Sequence, residues 1–285
     1  MNFTEYLQQK KYSPVTVDRY SIYSKGFLTW LKDEELQAEV FTYTDLLAFM
    51  RYCQEMGTTK RTVHNILCIV RHYCNYLIHE GKRADNPAAG VFIKGLVRKL
   101  PTNLLSMEEM EELFKQYGIQ LNVDASKKIM FGLMVYQGLN VGEIMRLQSH
   151  HIKGKDGKIF IKGTKRTGER LLNLQAVQVA ELQSYLQKNK FKEGAIFIEP
   201  VKKEVSERNI NNRIKYMFDQ LRKLNPKIIN AKQIRSSVIT HWLRQNNLRQ
   251  VQYLAGHKYV SSTQRYQANN LDDLQNELQQ HHPMS

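Results

Sequence analysis

Leu254-Ala255-Gly256-His257-Lys258-Tyr259-Val260-Ser261-Ser262-Thr263-Gln264-Arg265-Tyr266 is the stretch on which the reading of this chain turns. Gly256-His257 reads as the end of one helix followed by a sharp turn. Ser261 or Ser262 caps the next helix, which carries Tyr266. His257 and Tyr266 stand nine positions apart. An imidazole and a phenol joined by a turn and a short helix suit phosphoryl chemistry. The phenol attacks phosphorus and the imidazole hydrogen-bonds a phosphoryl oxygen. Taken alone, the plainer reading, a Tyr on a helix beside a Gly-His turn, is the better one. The surrounding chain has to tip the balance.

Upstream, residues 248–254 read as a short helix leading into that turn. Residues 232–243 form a longer one, with Ile234, Val238, Ile239, Trp242 and Leu243 inward. Residues 206–224 and 176–186 are further helices, and Ala195 to Ile198 a short strand. Lys158 to Lys162 and Arg170 to Leu174 read as an antiparallel hairpin with a basic tip of Lys162, Lys165, Arg166 and Arg170. Glu143 to Leu147 is helical in character, and a helix over 125–137 stops at Gly138. Ser106 and Glu109 form a capping box at the start of a helix that runs to Gly118.

The first ninety residues read as all helix. Ser13-Pro14 is a cap followed by Pro in the first turn. A second helix starts near Thr44-Asp45 and stops at Gly57. In the third, Val63, Ile66, Leu67, Val70, Cys74, Leu77 and Ile78 recur at helical spacing between Thr58 or Thr59 and Gly81. Its other face carries Lys60, Arg61, His64, Arg71 and His72, which is either a solvated basic face or one laid on a phosphate backbone. Beyond Asn86-Pro87 the chain loses periodicity and carries Lys94, Arg98 and Lys99, as an interdomain linker would.

Forty-two basic against twenty-seven acidic side chains leave a net charge of +15. Such an excess repels its own compact state and usually answers an anionic partner, nucleic acid first. The charge is spread along the chain rather than gathered on one amphipathic helix, which argues against a membrane surface. No apolar run has the length of a span, and Met1-Asn2-Phe3-Thr4-Glu5 does not begin a signal peptide, so the expected location is the cytoplasm. Cys53, Cys68 and Cys74 lack metal-ligand spacing and read as reduced core thiols.

A basic helical domain, a linker, and a mixed domain ending in His, eight residues and Tyr together resemble the tyrosine recombinases, the integrase family that includes the chromosome-dimer resolving recombinases. The likeness covers nearly the whole chain. It implies a mainly α fold with a small antiparallel β-sheet. A helical core-binding domain spans 1–90, a basic linker 91–103, a mixed α/β catalytic domain 104–270 and a C-terminal tail 271–285. Leu271, Leu274 and Leu278 suit a tail that docks on a neighbouring subunit or folds back on its own domain.

The resemblance implies that Tyr266 is the nucleophile, forming a 3′-phosphotyrosyl link and releasing a 5′-hydroxyl, with no metal or cofactor. It places His257 as the last His and Arg235, in Lys232-Gln233-Ile234-Arg235, as the second Arg. Lys232 stands where the family usually has His. Lys162, in Lys162-Gly163-Thr164-Lys165, matches the hairpin Lys that acts as general acid, and Lys165 is a second candidate.

Gln137-Gly138-Leu139-Asn140-Val141-Gly142-Glu143 matches the box of the first Arg, with Asn140 at the Arg position. An amide has neither the charge nor the fork of a guanidinium. Asn140 also reads as a simple helix cap. Arg146 lies about 600° further along a helix, off the same face. Arg166, Arg170, Arg208 and Arg213 are other sources of the missing cation. Glu143 keeps the family's acidic position and orients basic neighbours.

The expected DNA contacts are Lys60, Arg61, His64, Arg71, Lys94, Arg98, Lys99, Lys165, Arg166 and Arg170. The implied activity is site-specific recombination: integration, excision or inversion by a tetramer on double-stranded DNA with inverted half-sites, in the cytoplasm at the nucleoid. A recombinase-derived protein that binds DNA without cutting it is the alternative.

Overall fold

Side-chain caps start each of the four helices of the N-terminal part in the computed structural model, which describes residues 1–96, 103–120, 123–189, 194–197 and 207–267. Asn2 caps α1 (Phe3–Gln9), Ser13 caps α2 (Pro14–Asp33), Thr42 caps α3 (Tyr43–Glu55) and Thr59 caps α4 (Lys60–His79). Each accepts a hydrogen bond from an orphan N–H of the first turn. The cap of α3 is Thr42, two residues ahead of the expected start, because its hydroxyl and Asp45 form a reciprocal pair.

The chain divides into two units, Met1–Arg98 and Lys99–Ser285. In the first, α4 buries Val63, Ile66, Leu67, Val70, Cys74 and Leu77, as its periodicity predicts, while Ile78 is left exposed. These side chains pack with Phe27, Leu31, Leu46 and Phe49. The unexpected α1 covers the far end of this core with Phe3, Tyr6 and Leu7 against Tyr76 and Leu77. Burial pushes the Cys74 thiol up to about 12, consistent with an inert core residue.

The second unit is built around α6 (Ala125–Gln137). Every residue from Ile129 to Val135 is buried, so the helix runs through the core rather than along its edge. It packs on α5 (Met107–Gln120), α8 (Ala176–Lys188), α9 (Glu207–Leu224) and α10 (Ala231–Gln245). Gly138 ends it at φ 58°, a left-handed conformation that costs glycine little. Asn140 then starts the short α7 (Val141–Met145). The last described helices are α11 (Leu248–Ala255) and α12, residues 260–267. Helix α12 starts at Val260, ahead of the serines expected to cap it.

The hairpin forms as expected, and a third strand joins it. Strands β1 (Ile152–Lys153), β2 (Lys158–Ile161) and β3 (Arg170–Asn173) make an antiparallel sheet in that order. Ile159 pairs with Leu172 and Ile161 with Arg170. Side chains alternate across a pleated sheet, so Arg170 shares the inward face with Leu172. It is wholly buried rather than part of the basic tip. The strand expected from Ala195 is a single bridge to Gln148, followed by turn residues Ile196 and Phe197. Arg98, Lys99, Ile198, the Arg208 side chain and the tail 271–285 lie outside the described residues. None of the described helices is long and apolar enough to cross a membrane.

Candidate active site

Helix α11 ends at Gly256, φ 64°, and the chain turns there into His257. The sheet fixes this turn from the side. Gly168 N–H donates to Gly256 O at 3.1 Å, and Thr167 forms an antiparallel bridge with His257. Lys258 Nζ reaches Lys165 O at 3.4 Å. The hairpin loop and the Gly-His turn, some ninety residues apart in the chain, are thus one hydrogen-bonded unit.

His257 Nδ1 lies 2.9 Å from Thr263 Oγ1, one turn into α12. Its ring stacks on that of Tyr266, with centroids 5.7 Å apart and planes at 17°. Tyr266 is half-buried and packs on Ile239, Val251 and Ala255. Burial, then the charges of Arg235 and Arg170, lower the His257 pKa to about 4. The imidazole is therefore neutral near pH 7.

Arg235 projects from α10 into the same region. One Nη donates to Gly138 O and the other to Ala255 O, both at 2.5 Å. The first also meets Glu143 Oε2 at 3.3 Å. Arg235 is 9% exposed, and burial pulls its pKa below the ordinary value. Tyr266 is near enough for its ionised form to favour the charged guanidinium. Glu143 accepts a second guanidinium on its other oxygen, from Arg170 Nη1 at 2.8 Å. Burial pushes the Glu143 carboxyl up. The Arg170 hydrogen bond, both positive charges and the Asn140 N–H outweigh that and hold it below its usual range.

Asn140 is occupied as the cap of α7. Its Oδ1 accepts from Glu143 N–H at 3.0 Å, and its own N–H donates to Glu143 Oε2 at 3.0 Å. Arg146 lies closer than its helical angle predicts. Its side chain runs back along α7, with Nη1 3.2 Å from where a Cβ on Gly142 would sit. Asn140 Oδ1 is 3.4 Å from that same point. Arg213 is held elsewhere, by Phe197 O and Asp124.

Lys162 is exposed just past β2, where its charge adds to burial and His150 in lowering the His151 pKa. Lys165 and Arg166 are exposed in the hairpin loop, and Lys232 is exposed in the first turn of α10. In the first unit Lys60, Arg61 and Lys94 are exposed. His64 is half-buried, with Nε2 3.7 Å from Cys68 Sγ. Arg71 is turned inward: Nε donates to Ala88 O at 3.0 Å and Nη2 to Val91 O at 2.9 Å.

The structure thus brings together Arg235, His257, Tyr266 and Glu143, with the hairpin loop alongside. The sequence reading missed Thr263, whose only signal is its spacing of six from His257, and the buried place of Arg170.

A helical unit and a mixed unit, the second with its small sheet pinned to a Gly-His turn ahead of a tyrosine-bearing helix, are the architecture of the tyrosine-type DNA strand transferases. The chain belongs to the phage integrase family: residues 103–272 match the model of that family, and residues 1–81 that of the phage integrase N-terminal SAM-like domain. It is 28% identical to the tyrosine recombinase XerC of Psychromonas ingrahamii, over 96% of this chain and 92% of that one. Its fold is similar to the Tn1549 transposon integrase in complex with transposon right end DNA (TM-score 0.68, 13% identity, 99% of each chain covered). It is also similar to a lambda integrase tetramer bound to a Holliday junction (TM-score 0.67, 16% identity, 93% of this chain and 74% of that one). The phage integrase family is that of the tyrosine recombinases.

Proposed function

We propose that the chain cuts and rejoins double-stranded DNA through Tyr266. The phenolic oxygen attacks a backbone phosphorus and gives up its proton. A 3′-phosphotyrosyl bond forms, and the 5′ oxygen leaves as a hydroxyl after gaining a proton. Attack by a 5′-hydroxyl of another strand reverses the step. The observation that carries this reading is the stack of His257 on Tyr266 beside the buried Arg235.

Arg235 supplies fixed positive charge toward the phosphoryl oxygens. His257 serves as a neutral hydrogen-bond donor: when Thr263 O–H donates to Nδ1, the ring hydrogen sits on Nε2. Lys162 or Lys165 protonates the leaving oxygen, and Lys232 contacts a phosphoryl oxygen. The exposed cations of the first unit, Lys60 and Arg61 first, and those of the hairpin loop contact the phosphate backbone. Four copies act on two sites with inverted half-sites, a reading supported by the lambda integrase tetramer on its junction. With DNA as substrate, the place of action is the cytoplasm, at the nucleoid.

Trapping on a nicked suicide DNA substrate tests this. A covalent adduct is expected from the unaltered protein and none from Tyr266→Phe, which should bind DNA equally well. Tight binding without an adduct in either would leave the second reading, a DNA-binding protein that does not cleave. That reading is favoured by Asn140, whose side chain is taken up by the helix cap.

A further inference from the structure

A count of buried charges shows what the site holds in place of a guanidinium at position 140. Glu143 carries one negative charge and meets two guanidiniums, Arg235 on one oxygen and Arg170 on the other. The three together keep a net charge of +1. With Asn140 neutral and Arg170 absent, Arg235 and Glu143 would form a neutral buried pair. A phosphoryl group taking on charge would then face no net cation from this buried cluster.

Arg170 is placed by the register of the sheet, and three features set it apart from an ordinary core ion pair. Its side chain is wholly enclosed. Its Nε and Nη2 make no hydrogen bond to any described residue, although leaving buried N–H groups unmade is costly. It lies directly under the turn that carries His257: a Cβ on Gly256 would fall 2.3 Å from its Nη1 and 2.8 Å from its Cζ. A buried charge so close to the reacting groups acts through a medium of low dielectric, where its field carries further than at the surface. It does this without touching DNA.

We propose that Arg170 is a positioning residue that supplies the second buried positive charge where Asn140 supplies none, holding Glu143, and through it Arg235, beneath the Gly256–His257 turn. This rests on the reading of Tyr266 as nucleophile, but its first test does not need cleavage.

That test is NMR titration of the His257 ring in the free protein. The ring titrates at about 4 in the unaltered chain. In Arg170→Gln it should move up by roughly one unit, because a cation has been removed beside it. In Arg170→Lys it should stay, because the charge remains. An unmoved His257 in Arg170→Gln overturns the proposal.

The second test is a double-mutant cycle on the rate of adduct formation at saturating suicide DNA. Arg170→Gln should slow it by roughly 10- to 100-fold with DNA affinity unchanged. Asn140→Arg should restore more in the Arg170→Gln background than it adds to the unaltered protein. Equal gains in the two backgrounds mean that Arg170 only holds the fold, and overturn the proposal. If Arg170→Gln does not fold, Arg170→Lys decides: the proposal requires an unmoved His257 and a rate within about tenfold, and a larger loss overturns it. If the unaltered protein forms no adduct, the nucleophile reading fails, while the titration still decides the role of Arg170.

Discussion

Glu143 and Arg235 meet at 3.3 Å inside the second unit, and the free oxygen of that carboxylate is taken by Arg170. One anion thus serves two enclosed cations. Glu143→Gln removes the anion and leaves both guanidiniums buried without it. Breaking a buried pair in this way costs about 3–5 kcal/mol. An unfolding free energy in urea lowered by that amount, with adduct formation lost, is expected. An unfolding free energy within about 1 kcal/mol of the unaltered protein would show that the three-charge cluster is not structural.

Gly256 is constrained twice over. Its φ of 64° is one that L side chains rarely adopt, and an added Cβ would meet the Arg170 guanidinium head-on. The guanidinium has no room to retreat, because it is fully enclosed and tied to Glu143. Gly256→Ala should cost about 2–4 kcal/mol, from backbone strain and overpacking together. It should also displace His257 and abolish cleavage. Thermal unfolding reads the first effect and adduct trapping the second, and full activity in this variant would contradict the described turn.

The low pKa of His257 has a consequence for stability. Above pH 6.5 the ring is neutral both folded and unfolded and contributes no pH dependence. Between the ordinary value of 6.5 and about 4 the unfolded chain takes up a proton that the folded chain refuses. Stability therefore falls as pH drops through that window, and the effect levels off below it. The loss is on the order of 2 kcal/mol after allowance for partial exposure. Glu143, whose folded pKa is depressed, adds a further loss as pH falls below 4.5. Urea midpoints at pH 7 and 4.5 should separate more in the unaltered protein than in His257→Gln. Equal separations would remove His257 as the source.

Much of this was legible in the sequence. Periodicity and caps placed the long helices, because α4 repeats its apolar residues over about four turns and Thr59, Ser13 and Ser106 each start a helix chemically. Tyr266, His257 and Arg235 were legible from spacing. The place of Arg170 was not. Which face of a hairpin strand turns inward depends on the pairing of Ile161 with Arg170, and a basic residue in a basic run argues for the surface. Arg146 was misjudged for a different reason. Angle around a helix locates a Cβ, whereas a long side chain running over Gly142 reaches a turn away. Nor was the place of Tyr253 legible: it is 51% exposed, and its hydroxyl accepts the Leu171 N–H of β3.

The basic face of α4 divides into two kinds of residue with separable behaviour. Lys60 and Arg61 are exposed in the first turn, whereas Arg71 spends its fork on the carbonyls of Ala88 and Val91. Its guanidinium also stacks over Phe92 at 5.1 Å. Hydrogen bonds from a charged donor contribute about 1.5–3 kcal/mol, so Arg71→Ala should lower the stability of the first unit by about that much. DNA affinity measured on the folded variant should keep its salt dependence, because no phosphate contact is lost. Exchanging Lys60 and Arg61 for Ala should do the reverse. Stability should hold, while the slope of log affinity against log salt becomes shallower by about 2, one for each phosphate contact. Binding titrations from low to moderate salt distinguish the two variants. A shallower slope in Arg71→Ala, with no loss of stability, would place that guanidinium on the DNA rather than on the segment after α4.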